Sequence, residues 1–564
     1  MRLGLPPSIK QVLSAVLTVL LVGNGPAGAK TVMGLGKAAA NRGADAIAVS
    51  HRFTEVAFTG PGEGDVGSPS AHFAVSVSGV ISGTIHFTPN DGGDGGTFIP
   101  ASISITASGP TRYFVYLPLS AGTKTISLKN DASLDTPALP FEAIARDVPL
   151  PSWVPAEGEV AVLNQTNGLI TNTFLSTNAP YYEAFYHSQI DAFSTTVVNP
   201  YFGTYGALLL FGGGHSANND NSVTALELGQ TSCTWKRLTD PSPIFGGPGT
   251  VTNDIKSLNS QGATQFTSHR DDTYGEFTID HQPCSEHSYS TLDVIGPTEG
   301  GGAYGTLIKV IGPSLGMSGA LYALSCHQLI FNSIDGPFGW ERRTNVVPEK
   351  KFFDSMFYSV YVPSQKRVYF DAHLGRSAQW YDLQTDTYVY GTGAGFDRTG
   401  QTANSGIMFF VPERGLVIFA DGTSASGSYT LRLQYMDVTV DQPNWVTSVT
   451  LAAPIAVCNY FSTAAWCPDN HRIIVGAVAG DNSGVYEIAI PSPLSAPWPV
   501  TRVPFGPGQT IDFPVTDDLT RWSYKRWTYN PKTKSIVYLP RTGDGSPGGG
   551  GDDTVFVYRP RGAR

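Results

Sequence analysis

The sequence predicts an all-β protein: a six-bladed β-propeller, with seven blades as the alternative count, behind an N-terminal Ig-like β-sandwich. Three observations predict it. Gly 63 and Pro 40 are abundant, while charged residues make up only 15% and aromatics 11% of the chain. That mixture suits many short strands and turns rather than a disordered or coiled-coil chain. Residues 52–147 read as short alternating strands at intervals of about ten residues, broken by Gly, Pro and Asn, the pattern of a sandwich. From residue 159 onward, a two-strand phrase with a proline-marked turn recurs six times, and such a period with four strands per unit is the propeller signature.

The N-terminal 29 residues read as a secretory signal or an apolar anchor. Arg2 and Lys10 precede the apolar run "VLSAVLTVLLVG", and Ala27-Gly28-Ala29 offers an A-x-A cleavage site. Twelve apolar residues are too few to cross a bilayer comfortably, so no stable membrane span is expected. A retained segment would instead dock the chain into a larger assembly. Residues 30–51 link this segment to the sandwich at 52–147. The run "TPNDGGDGGTFIP" contains a loop, Asn90–Gly96, that reads as a hairpin tip, with calcium as the alternative occupant. A proline-rich linker covers 148–158, and the propeller takes 159–564.

The repeated phrases are "FSTTVVNPYFGTYGALLLFGGG", "YSTLDVIGPTEGGGAYGTLIKVIG", "FYSVYVPSQKRVYFDAHLG", "SGIMFFVPERGLVIFADG", "STAAWCPDNHRIIVGAVAG" and "YKRWTYNPKTKSIVYLPRTG". Their turn prolines, Pro200, Pro297, Pro363, Pro412, Pro468 and Pro531, are 97, 66, 49, 56 and 63 residues apart, near a blade plus insertions. Third strands are expected at "SVTALEL", "GALYALS", "SAQWYDL", "LRLQYMDV", "SGVYEIAI" and "TVFVYRP". Trp235, Trp340, Tyr388, Trp445 and Trp498 mark the fourth strands, where an aromatic can pack between blades. The sixth unit lacks a fourth strand of its own. "EVAVLNQ" (159–165) is free to supply it, which would close the ring and leave no open edge.

Between two of these strands stands Gly212-Gly213-Gly214-His215. A phosphate cradle needs its glycines to open a helix. Here "NSVTALEL" follows, which alternates as a strand does, so the glycines read as a hairpin turn needing positive φ. His215 and the Asn218–Asn221 run extend the loop beyond what a turn requires and are candidates for contact with a ligand.

With its glycines at this turn and a Trp or Tyr following, the repeat resembles the kelch and galactose-oxidase-like propellers over about 400 residues. Residues 52–147 resemble an Ig-like module of bacterial surface and phage structural proteins, through "TP-DGG-GGTF-P" and "AGTKTISL-ND". The first resemblance implies a copper site in some members, and "FYHSQ" (Phe185–Gln189) is similar to their Tyr-His-Ser phrase. Those enzymes take a further histidine from a sandwich that follows the propeller, whereas here it precedes, which removes a ligand. "SIDGPFGW" (Ser333–Trp340) shares only Ser, Asp and Trp with the sialidase turn and reads as a hairpin. Cys233, Cys284, Cys326, Cys458 and Cys467 show no CxxC spacing and so no zinc site; in an exported chain they allow one or two disulfides.

No catalytic motif, metal site or cofactor is therefore assigned. Counting nine residues back from each turn proline reaches the leading ends of the innermost strands, which surround one mouth of the ring. Asp191, Asp354, Asn459 and Trp522 stand there, with His287, Asn404 and Arg521 one position away. Carboxylates, amides, His, Arg and one aromatic suit a polyol ligand. A net charge of −10 and pI near 5.6, with no basic cluster, argue against a nucleic-acid partner. The reading is a secreted or cell-surface, non-enzymatic adhesion protein that binds a glycan or a surface protein. A virion protein displayed for host attachment is one alternative; a copper-radical oxidase or glycan hydrolase is another.

Overall fold

The computed structural model describes residues 54–66, 70, 72–94, 96–99, 101–108, 110–144, 149–169, 194–212, 222–240, 256–258, 264–266, 283, 290–310, 322–324, 326–343, 347–349, 358–371, 378–391, 406–425, 428–440, 443–446, 449–458, 461–476, 483–506, 525–540 and 553–562. Strands dominate them, and their helical segments are single 3-10 turns. The N-terminal segment and the 30–51 linker lie outside the described residues.

The first body is a pair of sheets. One runs Glu55–Thr59, Phe73–Ser78, Thr111–Leu117, Thr97–Ile99; the other runs Glu63–Asp65, Leu139–Ile144, Gly122–Asn130, Thr84–Asn90, Ile103–Thr106. Burial alternates strictly along Phe73–Ser78 and Thr84–Asn90, as expected when one face meets a core and the other meets water. Phe73, Val75, Phe114 and Tyr116 from one sheet pack against Phe87, Ile105, Ile126 and Phe141 from the other, with the Phe73 and Phe114 rings stacked at 5.1 Å.

The Asn90–Gly96 loop is braced by the protein itself. The Asp91 carboxylate accepts from Gly96 N at 2.7 Å, Tyr116 Oη at 2.9 Å and Gly93 N at 3.1 Å. Burial pushes its pKa up, but these hydrogen bonds outweigh burial and hold it below the ordinary carboxylate value. The loop is not the hairpin tip the sequence suggests: Thr84–Asn90 and Thr97–Ile99 belong to different sheets, so it carries the chain from one sheet to the other.

The second body is a cycle of six sheets. Each begins with an innermost strand: Thr195–Asn199, Leu292–Ile295, Tyr358–Val362, Ile407–Val411, Ala464–Cys467 and Trp527–Asn530. Each of these lies beside the next, and the last lies beside the first. The second and third strands follow antiparallel in every sheet. Third strands fall where the sequence places them in five sheets: Thr224–Leu228, Gln379–Asp382, Ser428–Asp437, Gly484–Ile488 and Phe556–Tyr558.

The second sheet corrects the sequence reading. "GALYALS" is not its third strand. Tyr322–Leu324 pairs with Val347–Glu349 in a separate ribbon, and His327–Ile330 pairs with Thr306–Lys309 instead. Two adjacent runs fit the strand pattern, and the pairing partner decides between them.

The sixth sheet is completed by the start of the ring. Val160, Ala161 and Val162 pair with Tyr558, Val557 and Phe556. Leu163 N donates to Val555 O at 2.9 Å, and Gly158 N to Arg559 O at 2.7 Å. The preceding segment docks as well: Trp153 is buried between the sixth and first sheets, and its Nε1 donates to Gly229 O at 2.7 Å.

Apolar clusters fill the spaces between sheets. Trp235 packs toward the sixth sheet, Trp340 toward the first, Trp445 toward the third and Trp498 toward the fourth. Tyr388 Oη donates to Val310 O of the second sheet at 2.5 Å. The marker aromatic of each sheet thus leans on the preceding one.

At one end of the ring the turns after the six innermost strands share one feature, although the first two run on for several residues before Ala207 and Thr306 open the second strand. The residue three after the proline has positive φ in every sheet: Gly203 (78°), Gly300 (102°), Lys366 (52°), Gly415 (61°), His471 (52°) and Lys534 (51°). Proline presets the first turn residue, and the left-handed residue reverses the chain into the second strand. The opposite end, the mouth, is where innermost strands begin and second strands finish. Val115 and Leu117 of the sandwich meet Ala303 and the partly buried Tyr304 of the second ring sheet in a small apolar patch.

Candidate functional site

The mouth is the candidate site, and its described floor is polar. Lys525 stands two residues before the innermost strand of the sixth sheet, with φ of 50°. Its Nζ donates to Asp293 Oδ1 at 2.7 Å, Leu292 O at 2.5 Å and Ser359 O at 3.2 Å, using all three ammonium protons. Asp293 belongs to the second sheet and Ser359 to the third, neither adjacent to the sixth. The side chain therefore crosses the axis of the ring.

The neighbours complete this bolt. Ser359 Oγ donates to Asp293 Oδ2 at 2.5 Å. The Lys525 carbonyl accepts from Thr196 Oγ1 at 3.1 Å and Thr528 Oγ1 at 2.8 Å. Lys525 is 8% exposed, Asp293 5% and Ser359 0%. Arg526, also fully buried, donates to Ser194 Oγ of the first sheet. Four sheets are thus tied at the centre by charge-assisted bonds. A lysine in the left-handed region is a strained arrangement held by its surroundings.

Among the described residues, the fourth sheet rises furthest at this end. Its second and third strands, Leu416–Ala425 and Ser428–Asp437, pair over ten residues each. Near their tip, Arg432 grips the buried Asp421 with both prongs, Nε to Oδ1 at 3.0 Å and Nη2 to Oδ2 at 2.6 Å.

Sequence reasoning missed Lys525, Asp293 and Ser359. A signal exists: Asp293 and Ser359 stand four residues before Pro297 and Pro363, and a carboxylate inside the apolar strand "LDVI" asks for a buried partner. All eight residues proposed from sequence (Asp191, His215, His287, Asp354, Asn404, Asn459, Arg521 and Trp522) lie outside the described residues, as does Phe185–Gln189. Gly212 does have positive φ, 79°, as the turn reading requires. Ser333–Phe338 connects two strands of the second sheet, and Trp340 is a core residue.

The disulfide expectation is corrected for three cysteines. Cys233, Cys326 and Cys467 are buried free thiols. Burial pushes the pKa of Cys233, Cys326 and Cys467 up to about 12, so they are packing groups rather than nucleophiles. Among the described residues, no group of three His, Cys, Asp or Glu side chains is arranged to hold a metal ion.

No protein-family model and no curated protein sequence matches this chain. Several solved structures are similar at low identity. An auxiliary nutrient binding protein from Bacteroides ovatus is 12% identical, covering 89% of this chain and 97% of its own, with a TM-score of 0.32. TolB from Acinetobacter baumannii is 9% identical, covering 81% of each chain, with a TM-score of 0.26. The RRP9 WD40 repeats are 11% identical, covering 72% of this chain and 99% of that one, with a TM-score of 0.31. At such scores none of these likenesses bears on what this chain does.

Proposed function

We propose that the chain is an exported surface protein: a six-bladed propeller of kelch type, carried behind an Ig-like module, that binds a glycan or a surface protein at its mouth without catalysing a reaction. One observation carries this reading. The described starts of the innermost strands surround a polar floor in which Lys525, Asp293 and Ser359 bond across the axis, and a ligand at this end would meet that floor. Seven of the eight sequence-proposed residues stand two to four positions upstream of a described residue at those strand starts. They supply the planar hydrogen-bonding groups and the aromatic face that a sugar needs. His215 follows the second strand of the first sheet, which finishes at the same end. Among the described residues no helix is long and apolar enough to cross a membrane, and loss of residues 1–29 in the native protein's intact mass would support export.

A glycan array probed with the full chain tests the reading. Trp522→Ala is expected to weaken the strongest hit by about 1–3 kcal/mol, as for an interface anchor. Unchanged binding in Trp522→Ala, Asp354→Ala and Asn459→Ala would remove the mouth as the site.

A further inference from the structure

Between the sandwich and the second ring sheet lies a cleft of about 780 Å³, within the roughly 300–1,000 Å³ typical of small-ligand sites. The sandwich contributes His72 and Tyr113; the ring contributes Gln328, Asn332, Arg343 and Asp386, with Gly300–Gly302 between them. Tyr113 is 57% exposed, although Val115 and Leu117 of the same strand are docked on the ring. The rings of His72 and Tyr113 meet edge to face at 6.1 Å.

The charges in this cleft are already balanced. Arg343 Nε donates to Asp386 Oδ1 at 2.9 Å, and Tyr381 Oη donates to the same oxygen at 3.0 Å. Arg343 Nη2 donates to Leu383 O at 2.9 Å, and Nη1 to Gln328 Oε1 at 3.4 Å. A phosphate or carboxylate ligand needs an unpaired cation, and this guanidinium is committed to a carboxylate. What the walls offer is a mixture of donors and acceptors. The guanidinium has five N–H groups, of which these bonds use three; the Asn332 amide both donates and accepts, and Gln328, whose Nε2 also donates to Glu341 Oε2 at 3.2 Å, keeps a second N–H. Tyr113 adds an aromatic surface. Hydroxyls in several directions together with an apolar C–H face describe a sugar.

We propose that this cleft is a second binding site, distinct from the mouth, for a short neutral oligosaccharide, with Tyr113 as its platform and Asn332, Gln328 and the Arg343–Asp386 pair addressing hydroxyls. The sandwich is then half of a binding site and more than a spacer.

Calorimetric titration of the full chain with maltotriose, cellotriose, triacetylchitotriose and inorganic phosphate tests this. At least one trisaccharide is expected to bind and phosphate is not. Tyr113→Ala is expected to weaken the trisaccharide about tenfold or more, while Tyr113→Phe, which keeps the ring, stays near the parent value. Asn332→Ala is expected to weaken it less, and thermal unfolding of these exposed-residue variants should match the parent. The proposal fails if no trisaccharide binds, if phosphate competes, or if Tyr113→Ala and Asn332→Ala both bind normally. Trisaccharide binding lost in Trp522→Ala but kept in Tyr113→Ala would sink the cleft and leave the mouth standing. The reverse pattern would do the opposite.

Discussion

The two ends of the ring are built on different rules. At the turn end, six sheets use one device: a proline, then a left-handed residue three positions on. At the mouth, the described residues differ from sheet to sheet. The sixth sends Lys525 across the axis, the fourth raises a ten-residue hairpin pinned by Arg432 and Asp421, and the second and third supply Asp293 and Ser359 as receivers. The turn end is set by backbone chemistry within four residues, so it can repeat while the sequence around it diverges. The mouth is set by side-chain partners from distant sheets, so each position there can change independently. A fold that confines variation to one end leaves that end open to recognition.

The difference should be largest where the mouth's central bolt is removed. Lys525→Met leaves the Asp293 carboxylate buried without its cation, and a broken buried pair costs about 3–5 kcal/mol. The same principle predicts that Lys525→Met combined with Asp293→Leu regains much of that loss, because both charges leave together. Urea unfolding of the full chain reads both. A single variant as stable as the parent would mean that the ring does not depend on its central pair.

This contrast also explains what could be read from the sequence. The turn prolines, the marker aromatics and the closing strand at Val160–Val162 were legible because each follows from a local pattern or from counting strands. The Lys525 bolt was not, because its partners Asp293 and Ser359 lie 232 and 166 residues away, and no local rule links them. The third strand of the second sheet was misread for a related reason. "GALYALS" and "HQLIF" both alternate acceptably, and only pairing with Thr306–Lys309 chooses the latter. The Asn90–Gly96 loop reads locally as a hairpin tip, yet it crosses between the two sheets and Asp91 within it is bonded to Tyr116, 25 positions on. The mouth residues chosen by counting nine back from the prolines fall outside the described residues, and the mouth reading stands as a proposal.

Smaller effects are expected at the turn end, with a sign that depends on the residue. A side chain added at Gly300 meets no atom within 4 Å, so Gly300→Ala isolates the backbone cost of φ at 102°, about 1–2 kcal/mol. Lys366, at the equivalent position, already bears such strain. Lys366→Gly should therefore stabilise by up to about 1 kcal/mol, reduced by the greater freedom of glycine in the unfolded chain. Denaturant midpoints of the two variants should move in opposite directions. Movement in the same direction would mean that side-chain contacts, not backbone conformation, hold these turns.

The smallest effect lies one residue into the fifth turn and is best seen as a pH dependence. Asp469 follows Pro468 and accepts from Tyr529 Oη of the sixth sheet. Burial pushes its pKa above the ordinary 3.8, against the opposing pull of Lys534, His471 and Arg559. A carboxyl raised in the folded state binds its proton more tightly there than in the unfolded chain. Its contribution is therefore fully present below pH 3.8 and is lost as pH rises through the folded value, so the ionised form disfavours folding at neutral pH. Asn at this position keeps an oxygen for the Tyr529 hydroxyl and carries no charge. Asp469→Asn should thus raise the thermal midpoint slightly at pH 7, converge with the parent near pH 3, and flatten the parent's decline between them. If the two chains keep parallel curves across that range, the half-buried Asp469 carboxylate is not what couples this turn to pH, and the fifth turn rests on its backbone conformation instead.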